Sequence, residues 1–389
     1  MNTDGLGFPM KRFLLFLFFA ALGGSVSNAG EVAFRTDQSK DKQLPWFQTV
    51  PGEFPPEGSA HYFSGELIQI DHVRRRGVIR VDRTDSQRRS HWDLPVDFRM
   101  LPYGSIRYHG AAAALRDIPL GTHLHGLFYI KDKDEEIPTI FYYRMSIEAE
   151  FTKAFLLEDD FSHNMRQGRY WRLDEVDKKA KKLHVTAVDK DGGNPDRKPT
   201  LFDLIPITRF WMGNELVKLD QLEKGQLLQI NITWATLYGP GRCLDIWIDE
   251  ESRKQATKRQ LELHRYHTKL HGMPGYVTAV DNQEGIVTVT LFGGYDEALY
   301  KDIRNSENIS TVVAEPSLMT YDQKVDRKRG QQIGFTEVPK VPGSSGYQVQ
   351  VKPDDLLEGF RPGRVVKLFP IGWEVMTLPM EEKLFPARD

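Results

Sequence analysis

One cysteine, Cys243, is present in 389 residues. An intramolecular disulfide is therefore excluded, and the fold must stand on its hydrophobic cores. Cys243 sits in the alternating run Cys243-Leu244-Asp245-Ile246-Trp247-Ile248, which reads as a strand holding a buried, inert thiol. Net charge is nearly absent as well, at −2, so no global field favours a polyanionic partner. Catalytic signatures are missing: there is no Gly-x-Ser-x-Gly, no phosphate loop, no Gly-x-Gly-x-x-Gly before a helix and no His-Glu-x-x-His. The carboxylate pairs Asp159-Asp160 and Glu250-Glu251 fall where helices are expected to begin, and dipole complementarity accounts for them. Long apolar runs are scarce. The one at Phe13 to Leu22 follows Lys11-Arg12 and precedes Ser27-Asn28-Ala29, the three-part pattern of a secretory signal. It is too short to span a bilayer of about 30 Å as a helix. Residues 1–29 are thus expected to be a signal peptide, with the protein periplasmic or extracellular and no transmembrane segment after its removal. The sequence leaves open whether the signal is cleaved or kept as an anchor.

What is present is repetition. Leu115-Arg116-Asp117-Ile118-Pro119-Leu120-Gly121 recurs as Leu219-Asp220-Gln221-Leu222-Glu223-Lys224-Gly225 and as Leu357-Glu358-Gly359-Phe360-Arg361-Pro362-Gly363. Each copy reads apolar-x-x-apolar-x-x-Gly and leads into a β-like run. A short helical turn that plugs a barrel, followed by a glycine that launches a strand, satisfies the pattern. Each copy is preceded by a strand ending in aspartate: Asp82, Asp189 and Asp281. The aspartate-to-glycine spacing is 39, 36 and 82 positions, so the third module carries extra chain, placed near 301–345.

Strand, hairpin, short turn and final strand resemble small five-stranded barrels of the OB type, although SH3-like barrels fit much of the pattern. The expected fold is therefore mostly β with minor α: about three tandem small barrels joined by short helices. The expected bounds are a tether at 30–60, module one at 61–158, module two at 159–248, a connecting helix at 249–272 and module three at 273–389. For the helix, Asp249 suits the start and Gly272 with Pro274 the end. Its apolar seam reads Ala256, Leu263 and Leu270, with Tyr266 between.

Candidate chemistry concentrates in module one. Arg74, Arg75, Arg76, Arg80, Arg83, Arg88 and Arg89 crowd the first hairpin, followed by Trp92, Tyr103 and Tyr108. Cations interleaved with aromatics suit a polyanion. In an exported protein the partner would be an acidic envelope polymer or a protein rather than intracellular nucleic acid. His123 and His125, two apart in a strand, share a face, and His109 is nearby, so these three form a candidate copper or zinc site. His264, His267 and His271 lie along one side of the helix, among Arg259, Arg265 and Lys269, and read as a solvated face. Asn231-Ile232-Thr233 and Asn308-Ile309-Ser310 match the glycosylation sequon. The leading functional expectation is a non-catalytic exported binding or scaffold protein without a cofactor. A metal-binding protein is the alternative, and an enzyme acting on polysaccharide a third. Oligomeric state is not legible.

Overall fold

The computed structural model describes residues 34–82, 95–134, 151–193, 199–233, 241–313 and 327–373. Three closed barrels follow one another along the chain. The first comprises β1 (His61–Asp71), β2 (Arg76–Val81), β3 (Pro95–Tyr108), the short β4 (Ala111–Ala113), β5 (His123–Tyr129) and β6 (Lys153–Asp159). Its wall closes in the order β1-β2-β3-β6-β5 and back to β1, and only β3–β6 is parallel. β4 folds back onto the end of β3 through a two-residue turn.

The helix α1 (Asp160–Arg166) leads into the second barrel. This barrel holds β7 (Arg169–Asp177), β8 (Lys182–Asp189), β9 (Thr200–Met212), the short β10 (Glu215–Val217), β11 (Leu227–Ile232) and β12 (Arg242–Trp247). It repeats the order of the first, again with a single parallel pair, β9–β12. After α2 (Glu250–His271) comes the third barrel: β13 (Met273–Asp281), β14 (Ile286–Phe292), α3 (Glu297–Arg304), β15 (Asn308–Val313), β16 (Arg327–Glu337), β17 (Ser344–Pro353) and β18 (Val365–Pro370). Here six strands close the ring and every neighbouring pair is antiparallel. The extra length near 301–345 thus supplies two wall strands, β15 and β16.

The repeated motif is a latch. Gly121, Gly225 and Gly363 have φ of 90°, 91° and 83°, a region that side chains with a Cβ resist. Each glycine N–H donates to a carbonyl in its barrel's first strand: Leu67 at 2.7 Å, Leu173 at 2.7 Å and Val277 at 2.8 Å. The amide of that same strand residue donates back to the residue after the glycine, at 2.9 Å in all three cases. Leu67, Leu173 and Val277 are fully buried and sit where the first strand bulges. The turn therefore pins a bulge to the barrel end. A Cβ on Gly225 would meet nothing within 4 Å, so Gly225→Ala isolates the backbone term. It is expected to destabilise the protein by about 1–2 kcal/mol in denaturant unfolding; an unchanged midpoint would refute the latch.

Each barrel has its own apolar core. A fourth cluster joins barrels one and three through Leu101, Tyr103, Tyr129, Tyr276 and Phe292. The stretch read as a tether packs into this seam from Phe34 onward. Phe47 meets Tyr129, and Phe54 meets Tyr103, Tyr276 and Phe292. Contacts through isolated aromatics leave no period in the sequence.

Helix α2 also differs from its sequence reading. Asp249 caps it by accepting from the Ser252 N–H at 2.8 Å. Its buried residues, however, are Ser252, Gln260, His264 and Thr268, whereas Leu263 and Tyr266 are exposed. The helix is wedged between barrels and held by polar contacts. The Thr257 hydroxyl donates to the His109 carbonyl (2.7 Å), Gln260 to Asp117 (3.0 Å), Arg253 to the Leu227 carbonyl (2.7 Å) and Arg265 to Asp296 (2.8 Å). One helix thereby touches all three barrels.

Candidate functional site in the first barrel

Strand alternation puts His123 and His125 on one side of β5, with β1 on one flank and β6 on the other. β6 ends at Asp159, which accepts from the Ser162 N–H at 2.9 Å and so caps α1. Asp160, the first residue of α1, turns toward β5. Its Oδ1 accepts from His123 Nδ1 at 2.8 Å and from His125 Nε2 at 3.0 Å. Its Oδ2 accepts from the Ile232 N–H of barrel two at 3.0 Å. The far nitrogen of each ring is also held. His123 Nε2 lies 2.6 Å from Asp82 Oδ2, and His125 Nδ1 lies 2.7 Å from the Tyr62 hydroxyl. Ser64 donates to the same Asp82 oxygen at 2.7 Å.

Burial alone would push the His123 pKa down, but Asp160 and Asp82 on either side outweigh it and hold the ring well above the usual histidine range. Burial would likewise raise Asp160; the His123 charge and both imidazole hydrogen bonds carry its carboxyl far below normal instead. His123 is therefore an imidazolium donating to two carboxylates. His125 goes the other way: burial lowers it, despite its bond to Asp160. As a neutral ring donating from Nε2, it must accept at Nδ1, so Tyr62 donates its hydroxyl hydrogen. Burial raises the Tyr62 phenol, which keeps it a phenol. Against the outer side of His125 stacks His163, with ring centres 3.7 Å apart. Glu158 beneath accepts from Arg166 in three contacts of 3.0, 2.9 and 2.8 Å.

The same few residues join barrel one to barrel two. Asn231 donates to Asp159 Oδ2 and accepts from the Phe161 N–H, both at 2.8 Å. Burial pushes the Asp159 carboxyl up to about 6, against the hydrogen bonds of Ser162 and Asn231. Thr233 donates to Glu66 at 2.9 Å, and Glu66 pairs with Arg80. Asn231 is 2 % exposed, so its sequon is closed to glycosylation in the folded chain.

Of the residues proposed from sequence, the fold thus brings together His123 and His125. His109 stands elsewhere, at the β3–β4 turn, stacked on Tyr108 with ring centres 3.7 Å apart and edge-on to Trp247. Burial drives that ring's pKa down to about 3, and its Nε2 is buried without a partner among the described residues. Asp160 takes the place that His109 was expected to fill. Within the described residues the arginines take different directions. Arg75 turns inward and donates to the carbonyls of Leu101, Pro102 and Gly104 at 3.2, 3.0 and 2.7 Å. Arg80 pairs with Glu66, whereas Arg74, which pairs with Asp71, and Arg76 are both exposed. Tyr103 and Tyr108 are core residues. Arg83, Arg88, Arg89 and Trp92 lie outside the described residues.

The histidines of α2 are not a solvated face. His264 is 5 % exposed and packs on Tyr295, His267 Nδ1 lies 3.6 Å from Asp117, and His271 Nδ1 donates to the His267 carbonyl at 2.7 Å. Cys243 is buried, and burial raises its thiol.

Three contributors escaped the sequence reading: Tyr62, Asp82 and Asp160. Their only signal was position, since each lies at or near the end of a strand or the start of a helix. Comparison with known proteins finds no matching family model, no matching curated protein and no matching solved structure.

Proposed function

We propose that the chain is an exported, non-catalytic binding and scaffold protein built of OB-type barrels, acting in the cell envelope or outside the cell. The observation that carries this reading is the way the barrels are joined. Asn231 is buried between Asp159 and Phe161, and α2 bonds to all three barrels. Buried, hydrogen-bonded joints of this kind hold surfaces in fixed relation, which a scaffold needs. The strand order shared by the first two barrels, with one parallel pair each, supports the OB assignment. OB barrels serve binding more than any one chemistry. The side chains around His125 engage one another, and the raised Tyr62 phenol favours a hydrogen-bond donor over a nucleophile. Among the described residues no helix is long and apolar enough to cross a membrane.

Two measurements test the proposal on the full chain. Cell fractionation with a C-terminal epitope is expected to place it outside the cytoplasm; retention in the cytoplasm would refute export. A panel of glycosidase, esterase and phosphatase substrates is expected to show no turnover. Turnover abolished by His125→Ala or Asp82→Asn would establish an enzyme instead.

A further inference from the structure

We infer that His123, His125 and Asp160 form a binding site for a divalent transition-metal ion of the zinc and copper class. The inference goes beyond the scaffold reading and does not depend on it. One ring nitrogen of His123, one of His125 and one Asp160 oxygen come within 4.8 Å of one another. Both ring nitrogens point at a single carboxylate oxygen, at 2.8 and 3.0 Å.

A hydrogen-bonded cluster accounts for those two contacts. What favours an ion is the far side of each residue. His123 Nε2 is held by Asp82, His125 Nδ1 by the Tyr62 hydroxyl, and Asp160 Oδ2 by the Ile232 N–H. Proteins orient metal ligands in this way, with a carboxylate, hydroxyl or backbone group fixing each ring and each carboxylate from behind. The surrounding charge agrees. Glu158 is balanced by Arg166 and Glu66 by Arg80, whereas Asp82 and Asp160 both face the histidines. Two imidazoles and one carboxylate suit a borderline transition metal over magnesium or calcium, which prefer oxygen. His125 is half-buried beside the exposed Tyr62, while His123 and Asp160 are enclosed. The ion takes the place of the hydrogens now between the rings and Asp160: the His123 Nδ1 hydrogen leaves to solvent as a proton, and the His125 hydrogen moves from Nε2 to Nδ1, where the Tyr62 hydroxyl rotates to accept it.

The test uses the full chain, purified without a histidine tag and stripped with chelator. It is titrated calorimetrically with Zn²⁺ alone and with Cu²⁺ alone. One equivalent of at least one ion is expected to bind. His125→Ala and His125→Gln are each expected to weaken that binding by about 100-fold or more, and Asp82→Asn by about 10- to 100-fold. His109→Asn is expected to leave it unchanged. Two results would overturn the site: neither ion binds the folded wild-type chain, or binding survives both His125 variants. The second result would place the ion elsewhere, for instance on the α2 histidines. His125 lies at the rim of the cluster, so its variants are suited to retain the fold, and a thermal melt of each verifies it.

Discussion

Replacing Asp160 with alanine is expected to destabilise the metal-free protein by about 3–5 kcal/mol, the range for removing one partner of a buried ion pair. Three donors lose their acceptor at once: His123 Nδ1, His125 Nε2 and the Ile232 amide. The His123 imidazolium would keep only Asp82, in a site where the ring is 4 % exposed. The alternative is that the ring loses its proton, which gives up the interaction with Asp82 as well. Asp160→Asn should cost less, since an amide oxygen still accepts from the Ile232 N–H or an imidazole and the shape is kept. Urea unfolding in the presence of chelator measures both variants. A loss below about 1 kcal/mol for the alanine variant would mean that water reaches the cluster and replaces the carboxylate. Because Ile232 belongs to β11, the same variant should loosen the joint between barrels one and two. Faster amide hydrogen exchange at Phe161 and Ile232 would report it.

The fold was far more legible than the site, for a physical reason. A barrel is written locally. Alternation marks the strands, and each Leu-x-x-Φ-x-x-Gly stretch encodes a turn and a glycine whose φ near +90° no other residue takes easily. The latch bonds behind that motif repeat in all three barrels to within about 0.1 Å. The site is written across the closure. Asp82, the β5 histidines and Asp160 lie roughly 40 residues apart and meet only when β1, β5 and β6 are side by side. Locally, Asp160 looks like the second acid of a helix start. Asp159 does fill the capping role, and nothing in the pair distinguishes the residue that caps from the one that turns to the histidines.

Polarity misled twice in the same manner. The Arg74–Arg76 run reads as a surface patch, yet Arg75 takes φ of 52° and buries its guanidinium among three carbonyls. On α2 the packed side is Ser252, Gln260, His264 and Thr268 because its neighbours are barrel rims that offer carbonyls and carboxylates. Apolar periodicity finds a helix face that meets a core; it does not find one that meets hydrogen-bond acceptors.

Those buried histidines produce the second large effect. Stability is expected to fall as pH drops from about 7 to 4, chiefly through His109 and His264. Burial lowers their pKa values to about 3 and about 4, and the Nε2 of each is buried without a partner among the described residues. In the unfolded chain both titrate near 6.5. Below that pH the unfolded state takes up protons that the folded state refuses, so stability rises with pH across this window and is lost on acidification. His123 does not contribute here, because its raised pKa gives a stabilisation already complete below 6.5 and lost only as pH rises through its folded value. Asp160, whose pKa is lowered, loses its contribution only below about 4. Asp159 opposes the trend: with its carboxyl at about 6, the folded state gains a proton first as pH falls. A single variant separates the terms. His109 is followed by Gly110 in a two-residue hairpin with φ of 52° and 79°, so His109→Asn gives the Asn-Gly pair that such turns favour. The stacking on Tyr108 is lost at every pH; the titration is lost only in acid. At about 1.4 kcal/mol per pH unit, the stability difference between wild type and variant should shift by about 3 kcal/mol in favour of the variant between pH 7 and pH 4. Parallel stability curves would show that the His109 ring is protonated with little penalty and that the pocket beside Trp247 is wetter than its burial indicates.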